Sequence, residues 1–175
     1  MSFKFFSFLG LIFLCMSFAL HNDLNKTIDK EIKETYDIEN YSYSIKQIPQ
    51  EMIEELPAKF DDNNLLEIKA ENQLMGYAYI SKAPSKTDEF DYLILLDQNL
   101  TVLKAKVLVY REDYGGEIGS KRWLKQFIGK TQDDELKYRE NIVAISGATI
   151  SVRSMTNAVN DLLQSLKILH SKHIL

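Results

Sequence analysis

Four runs rich in β-branched and aromatic residues, at 66–71, 74–81, 92–97 and 101–110, fill the middle of the chain. Runs of this composition fit a pleated, half-buried surface and must find neighbours for their backbone N–H and C=O groups, so they predict a sheet. The links Glu71-Asn72-Gln73 and Asp97-Gln98-Asn99 are short and polar, which joins antiparallel neighbours as hairpins. In the last run Leu103, Ala105, Val107 and Val109 alternate with Val102, Lys104, Lys106 and Leu108. One face is then uniformly apolar and the other mixed, the pattern of a strand that covers a core on one side.

Helical segments flank the strands. Residues 22–60 are charged and helix-prone, with Ile28, Ile32 and Tyr36 at steps of four and a second group at Met52, Ile53 and Leu56. Two short helices are expected there. The second begins at Pro49 and stops near Pro57, since proline has no amide to donate inside a helix. Asp61-Asp62-Asn63-Asn64 reads as a turn. Past the strands, Ser120 is a natural N-cap for a helix over 121–128, and Asp133-Asp134-Glu135 reads as the acidic first turn of another. Met155, Val159, Leu162, Leu166 and Leu169 recur at steps of three and four, which predicts a long final helix over 150–169 with that stripe in the core. The fold class expected is α+β: an antiparallel β-sheet of about four or more strands packed with a long C-terminal helix and shorter helices.

The N-terminus has a different character. Lys4 precedes an apolar run over 5–20, and Ser17 and Ala19 are small residues at the two positions a signal peptidase reads. Residues 1–19 are therefore assigned to a signal peptide, 20–60 to a helical N-terminal segment and 61–175 to the main domain. The run is shorter than the ~20 residues that span a bilayer comfortably, and the alternative to cleavage is retention as an anchor. Cys15 is the single cysteine, and the bulky Leu14 before it argues against lipid modification. If Cys15 leaves with the signal, the mature chain has neither disulfide nor thiol chemistry. At 45% apolar and 26% charged residues the composition is that of a folded globular chain. A formal net charge of -4 argues against nucleic acid as a partner, because phosphate neutralisation needs clustered Lys and Arg.

The segment Ile145-Ser146-Gly147-Ala148-Thr149-Ile150-Ser151 lies where an extended stretch turns into the last helix. A helix N-terminus leaves amides unpaired and presents the positive end of the dipole, worth ~0.3–1 kcal/mol to an exposed anion. Gly147 and Ala148 let a phosphate reach the backbone without side-chain collision. Local physics leaves two readings open: an anion site, or a helix merely capped by Ser146 or Thr149.

Ser146-Gly147-Ala148-Thr149, followed by an apolar residue and Ser151, resembles the flavinylation motif of the FMN-binding domain family. Upstream, Glu112 and then Gly115-Gly116-Glu117-Ile118-Gly119-Ser120-Lys121 look like that family's acidic residue and glycine loop ahead of a short helix. With Gly76-Tyr77 and the paired strands, the likeness covers roughly residues 65–165. The family includes the periplasmic flavoprotein subunits of the sodium-translocating quinone reductase and of the Rnf complex, in which FMN is joined through its phosphate to the last threonine of the motif.

The resemblance implies FMN held covalently, through a phosphoester, on Thr149 of an exported chain that transfers electrons in the cell envelope, in the periplasm or on the outer face of the inner membrane. It also implies a flavin transferase for maturation, which moves FMN from FAD onto the Thr149 hydroxyl, and a membrane redox partner or quinone-linked complex. On this reading the chain is a carrier or subunit of a redox system rather than a stand-alone enzyme. Ser146, Gly147 and Ala148 are then expected at the phosphate, with Glu112, Gly115, Gly116, Gly119 and Ser120 shaping the pocket. Tyr110, Tyr114 and Trp123 are candidates to pack on the isoalloxazine ring, and Arg153, one turn beyond Thr149, to neutralise the phosphate. The sequence departs from the family pattern at Val143, where an aspartate is usual, and at Tyr114, near the place of a common proline. The competing reading keeps the fold but holds FMN non-covalently, or carries no flavin and serves as an envelope interaction module. His170 and His173 are three apart with no evident third ligand, so no metal site is expected.

Overall fold

A computed structural model describes residues 24–175, and the expected signal segment with Cys15 lies outside the described residues. Helix α1 covers 24–36. It is followed by β1 (Ser42–Ile45), the short helix α2 (Gln50–Ile53), β2 (Leu65–Ala70), β3 (Gln73–Pro84), β4 (Glu89–Asp97) and β5 (Val102–Val109). A 3-10 turn, Gly116–Gly119, leads into α3 (Lys121–Leu124), a second 3-10 turn (Lys125–Phe127) prolongs it, and α4 (Thr149–Ser171) closes the chain. The five strands form one antiparallel sheet in chain order, so the α+β class holds. The unexpected strand is β1. Its four residues, Ser42-Tyr43-Ser44-Ile45, are exposed and pair on one side only, with β2, and the alternation of Tyr43 and Ile45 with serines is too short to stand out from the helix-prone residues around it.

The hairpins follow from local chemistry. Glu71 and Asn72 both take positive φ, +50° and +64°, as a two-residue turn between right-twisted strands requires. Gly76, opposite Asp97 in β4, has φ +154°, and a Cβ there would lie 1.9 Å from the Leu96 carbonyl oxygen and 2.9 Å from Tyr36 Oη. The missing side chain makes room for the Tyr36 hydroxyl of α1, which donates to the carbonyls of Leu96 at 2.7 Å and Tyr77 at 3.1 Å.

The main core lies between one face of the sheet and α4. Met155, Val159, Leu162, Leu166 and Leu169 are all fully buried, as their spacing predicts, against Tyr77, Tyr79, Phe90, Tyr92, Ile94 and Leu96. Each such aliphatic side chain contributes ~1.5–3 kcal/mol through burial, which fixes α4 along the sheet and so fixes where its N-terminus ends up.

The opposite face is not left to solvent, and this corrects the one-sided expectation. Ile32, with Ile28 and Tyr36 beside it, packs α1 onto Leu66, Ile68, Ala78, Leu93 and Leu95. The lysines that made β5 look half-exposed turn towards Glu31, which meets Lys104 at 2.8 Å and Lys106 at 3.0 Å. Val102 departs from its expected face as well. Leu96 pairs with Val102 while Leu95 pairs with Lys104, so β5 carries one extra residue, and this bulge turns Val102 into the main core. The helix expected over 121–128 is the shorter α3 and its 3-10 extension. Asp133-Asp134-Glu135 starts no helix: the Asp134 carboxylate accepts from the Thr131 amide at 2.9 Å and meets Lys130 at 3.1 Å, closing a turn instead.

Candidate functional site at the start of α4

The β3–β4 link, the loop after β5 and the N-terminus of α4 converge on one open cleft. Its volume is about 680 Å³, and it is lined by Lys86 and Thr87, by Tyr110, Glu112, Asp113 and Tyr114, and by Gly147 to Ser151. That size lies within the ~300–1,000 Å³ usual for small-molecule and cofactor sites.

The motif enters the cleft as a turn. The Ala148 amide donates to the Ile145 carbonyl at 3.3 Å, and Gly147, third of those four residues, has φ +80°. A β-turn that needs φ > 0 at its third position takes glycine there. No side chain caps α4, so neither Ser146 nor Thr149 is occupied as a cap. Among the described residues the first bond of the helix is from the Val152 amide to the Ala148 carbonyl at 2.9 Å. The amides of Thr149, Ile150 and Ser151 have no acceptor there. Thr149 is exposed, while Ala148 beside it is buried and anchors the turn in the core.

The glycine loop closes against this turn. A Cβ on Gly115, whose φ is +81°, would sit 2.7 Å from Ala148 Cβ and 3.2 Å from Tyr110 Oη. Tyr110 Oη in turn lies 3.1 Å from Ser151 Oγ and 3.2 Å from the Tyr114 carbonyl. The end of β5, the loop and α4 are thereby tied at one phenol. Glu112 is a brace for the neighbouring wall: its carboxylate accepts from Ser85 Oγ and the Thr87 amide, both at 2.6 Å, and from Thr87 Oγ1 at 2.9 Å. These donors, the Ser85 hydroxyl foremost, hold its pKa down at about 2.

Of the residues singled out from sequence, Glu112, Tyr114, Gly147, Ala148 and Thr149 share the cleft, and Gly115 packs beneath it. Tyr114 is 82% exposed and touches the cleft from its rim. Ser120, Trp123 and Ser146 lie elsewhere, around a second cleft of about 580 Å³ with Gln126 and Val143. Trp123 is 5% exposed, packs edge-on against Phe127 with centroids 5.2 Å apart, and donates its indole N–H to the Val143 carbonyl at 2.8 Å. It is a core residue that supports the irregular segment leading into the motif. Ser120 caps α3 by accepting from the Trp123 amide at 3.3 Å. Gly116 and Gly119 build the 3-10 turn, where an added Cβ on Gly116 would meet nothing within 4 Å.

Sequence reasoning missed Lys86 and Thr87, which a hairpin link delivers, and it missed Tyr138 and Arg139, which join Arg153, singled out above, in a cluster beside Thr149. The guanidinium carbons of Arg153 and Arg139 lie 4.9 Å and 5.2 Å from the centroid of the Tyr138 ring. Tyr138 Oη is buried without a hydrogen bond of good geometry. Burial pushes the Tyr138 phenol up, but the adjacent Thr149 hydroxyl and the Arg139 and Arg153 cations outweigh it, and its pKa falls below the usual value.

Comparison with known families bears on what fills the cleft. Residues 86–164 match the FMN-binding domain family. The chain carries an FMN-binding domain. The matched stretch runs from the β3–β4 link through most of α4 and takes in the whole cleft lining. The FMN-binding domain thus assigns flavin mononucleotide as the ligand class of this protein. No curated protein matches the chain.

Proposed function

We propose that this chain is an exported flavoprotein that carries FMN covalently on Thr149 and passes electrons in the cell envelope. The observation that carries the reading is an exposed threonine hydroxyl, used by no cap, at the start of a 23-residue helix and on the wall of a ligand-sized cleft.

The residues present fit a phosphorylated flavin. Three amides without acceptors and the positive end of the α4 dipole favour a phosphate at the Thr149 side chain. Tyr110 and Tyr114 offer aromatic surface to a flat conjugated ring. When bound, the flavin supplies one- or two-electron transfer, and the chain contributes orientation, packing and local charge. A threonine hydroxyl is a poor nucleophile, so attachment calls for a flavin transferase, with Mg²⁺ polarising the FAD pyrophosphate. Thr149 Oγ1 attacks the flavin-side phosphorus of FAD, the bond to the adenylate oxygen breaks, AMP leaves, and the hydroxyl proton passes to a base of the transferase. Export through residues 1–19 and docking on a membrane redox partner belong to the same proposal. No helix among the described residues is long and apolar enough to cross a membrane.

Intact-mass spectrometry of the chain exported together with a flavin transferase tests the attachment. An adduct of FMN size that survives denaturation and disappears in Thr149→Val is the expected result. An unmodified wild-type chain under those conditions overturns it.

Val143, 66% exposed beside the motif, favours a second reading in which FMN is held without a covalent bond. A yellow protein that loses its colour on denaturation and shows no adduct supports that reading.

A further inference from the structure

Two cations from different parts of the chain meet on the ring of Tyr138, the neighbour of Thr149. Arg153 stands one turn along α4. Arg139 arrives through the loop before the motif, which a set of hydrogen bonds pins to the same helix. Asn160 of α4 accepts from the Leu136 amide at 2.8 Å and donates to the Leu136 carbonyl at 2.6 Å. Asn141 Oδ1 accepts from the Lys137 amide at 2.7 Å, while its Nδ2 donates to the Glu135 carbonyl at 2.8 Å. Arg139 itself sits at φ +68° and donates its amide to the Ile142 carbonyl at 2.9 Å. The tight turn sets Tyr138 beside Thr149 and brings both guanidinium groups to its ring.

Among the described residues neither Arg139 nor Arg153 forms an ion pair. Two like charges gathered on one ring repel each other, although the aromatic face attracts each. The arrangement gains most when a shared anion lies between or beside them. The Tyr138 oxygen is shielded from solvent at the same place, beside the Thr149 hydroxyl.

We propose that Tyr138, Arg139 and Arg153 form a phosphate-receiving clamp at Thr149, with the tyrosine ring as the platform that positions both guanidinium groups. The inference rests on FMN as the ligand of the Thr149 cleft but not on the covalent bond, since a phosphate held without that bond meets the same cations. Tyr138 is a positioning residue. The arginines supply charge and planar, two-pronged hydrogen bonding, for which lysine is an imperfect substitute.

The test compares riboflavin 5′-phosphate with riboflavin on the full chain prepared without any flavin transferase, using quenching of flavin fluorescence. The phosphorylated ligand is expected to bind about tenfold or more tightly, and Arg139→Gln with Arg153→Gln together to bring the two affinities within about twofold. Tyr138→Ala, which keeps both charges, also lowers the ratio, and Lys125→Gln with Lys172→Gln, the same loss of two charges elsewhere, leaves it alone. Far-ultraviolet circular dichroism verifies that each variant is folded. Equal affinities for the two ligands in the wild type, no saturable binding of either, or a ratio unchanged in the folded double variant overturns the clamp. Intact mass separates this outcome from the attachment proposal. An adduct on Thr149 without phosphate discrimination removes the clamp alone, whereas discrimination without an adduct removes only the covalent bond.

Discussion

Gly115 and Gly147 hold almost the same backbone angle, φ +81° and +80°, in very different surroundings. Around Gly147 an added methyl would meet nothing within 4 Å, while at Gly115 it would press on Ala148 Cβ at 2.7 Å. Gly147→Ala therefore pays only for the left-handed conformation, about 1–2 kcal/mol. Gly115→Ala is expected to cost more than that, because the loop must also lift off the motif, and urea unfolding midpoints of the two variants measure the difference. Equal costs would mean that the loop does not pack on Ala148 in solution. Glu112 gives a pH signature at the same scale. Its carboxyl stands at about 2 in the folded chain against an ordinary 4.5, so the unfolded chain takes up the proton first as pH falls. The stabilisation is complete above about pH 4.5 and is lost as the pH drops towards 2. Glu112→Gln should flatten that part of the stability profile, read as urea midpoints at about pH 3 and about pH 6. A variant whose acid slope matches the wild type would show that the Ser85 and Thr87 contacts do not form.

Elements differ in how openly the sequence declares them. The α4 stripe is legible because five apolar residues repeat with the helical period and all five are buried. β5 is legible as a strand, but its alternation misleads about its faces: lysines at alternate positions suggest water, and only the fold supplies Glu31 of α1 to meet them. Glu31 is 6% exposed. Its Oε2 meets Lys104 at ion-pair distance without the angle of a hydrogen bond. Burial raises its pKa, and the two lysines outweigh burial and bring it down. Glu31→Ala leaves two partly covered ammonium groups facing apolar neighbours and should destabilise the chain by about 1–3 kcal/mol in chemical denaturation. Glu31→Gln, which keeps the volume, should cost less. A neutral Glu31→Ala would indicate that Ile28, Ile32 and Tyr36 hold α1 without the ion pairs.

At the scale of the whole molecule, the sheet is a slab with α4 on one face and α1 on the other, and the candidate site lies at the end of the slab where β5 stops and α4 begins. The contiguous part of the site is legible in the sequence, because Ser146 to Thr149 is a local pattern and the glycine loop is another. What a linear reading misplaces is Trp123, whose indole looks available until Phe127 and the Val143 carbonyl claim it. What it omits is Tyr138, beside Thr149, and the Arg139 guanidinium on its ring, carried by a loop whose backbone Asn160, two turns further along α4 than Arg153, grips at Leu136. The Thr149 hydroxyl stands outside both cores, on a scaffold already closed by its own side chains. If FMN is joined at Thr149 as proposed, loading then falls on the outside of a closed scaffold, and no part of the interior has to reopen for it.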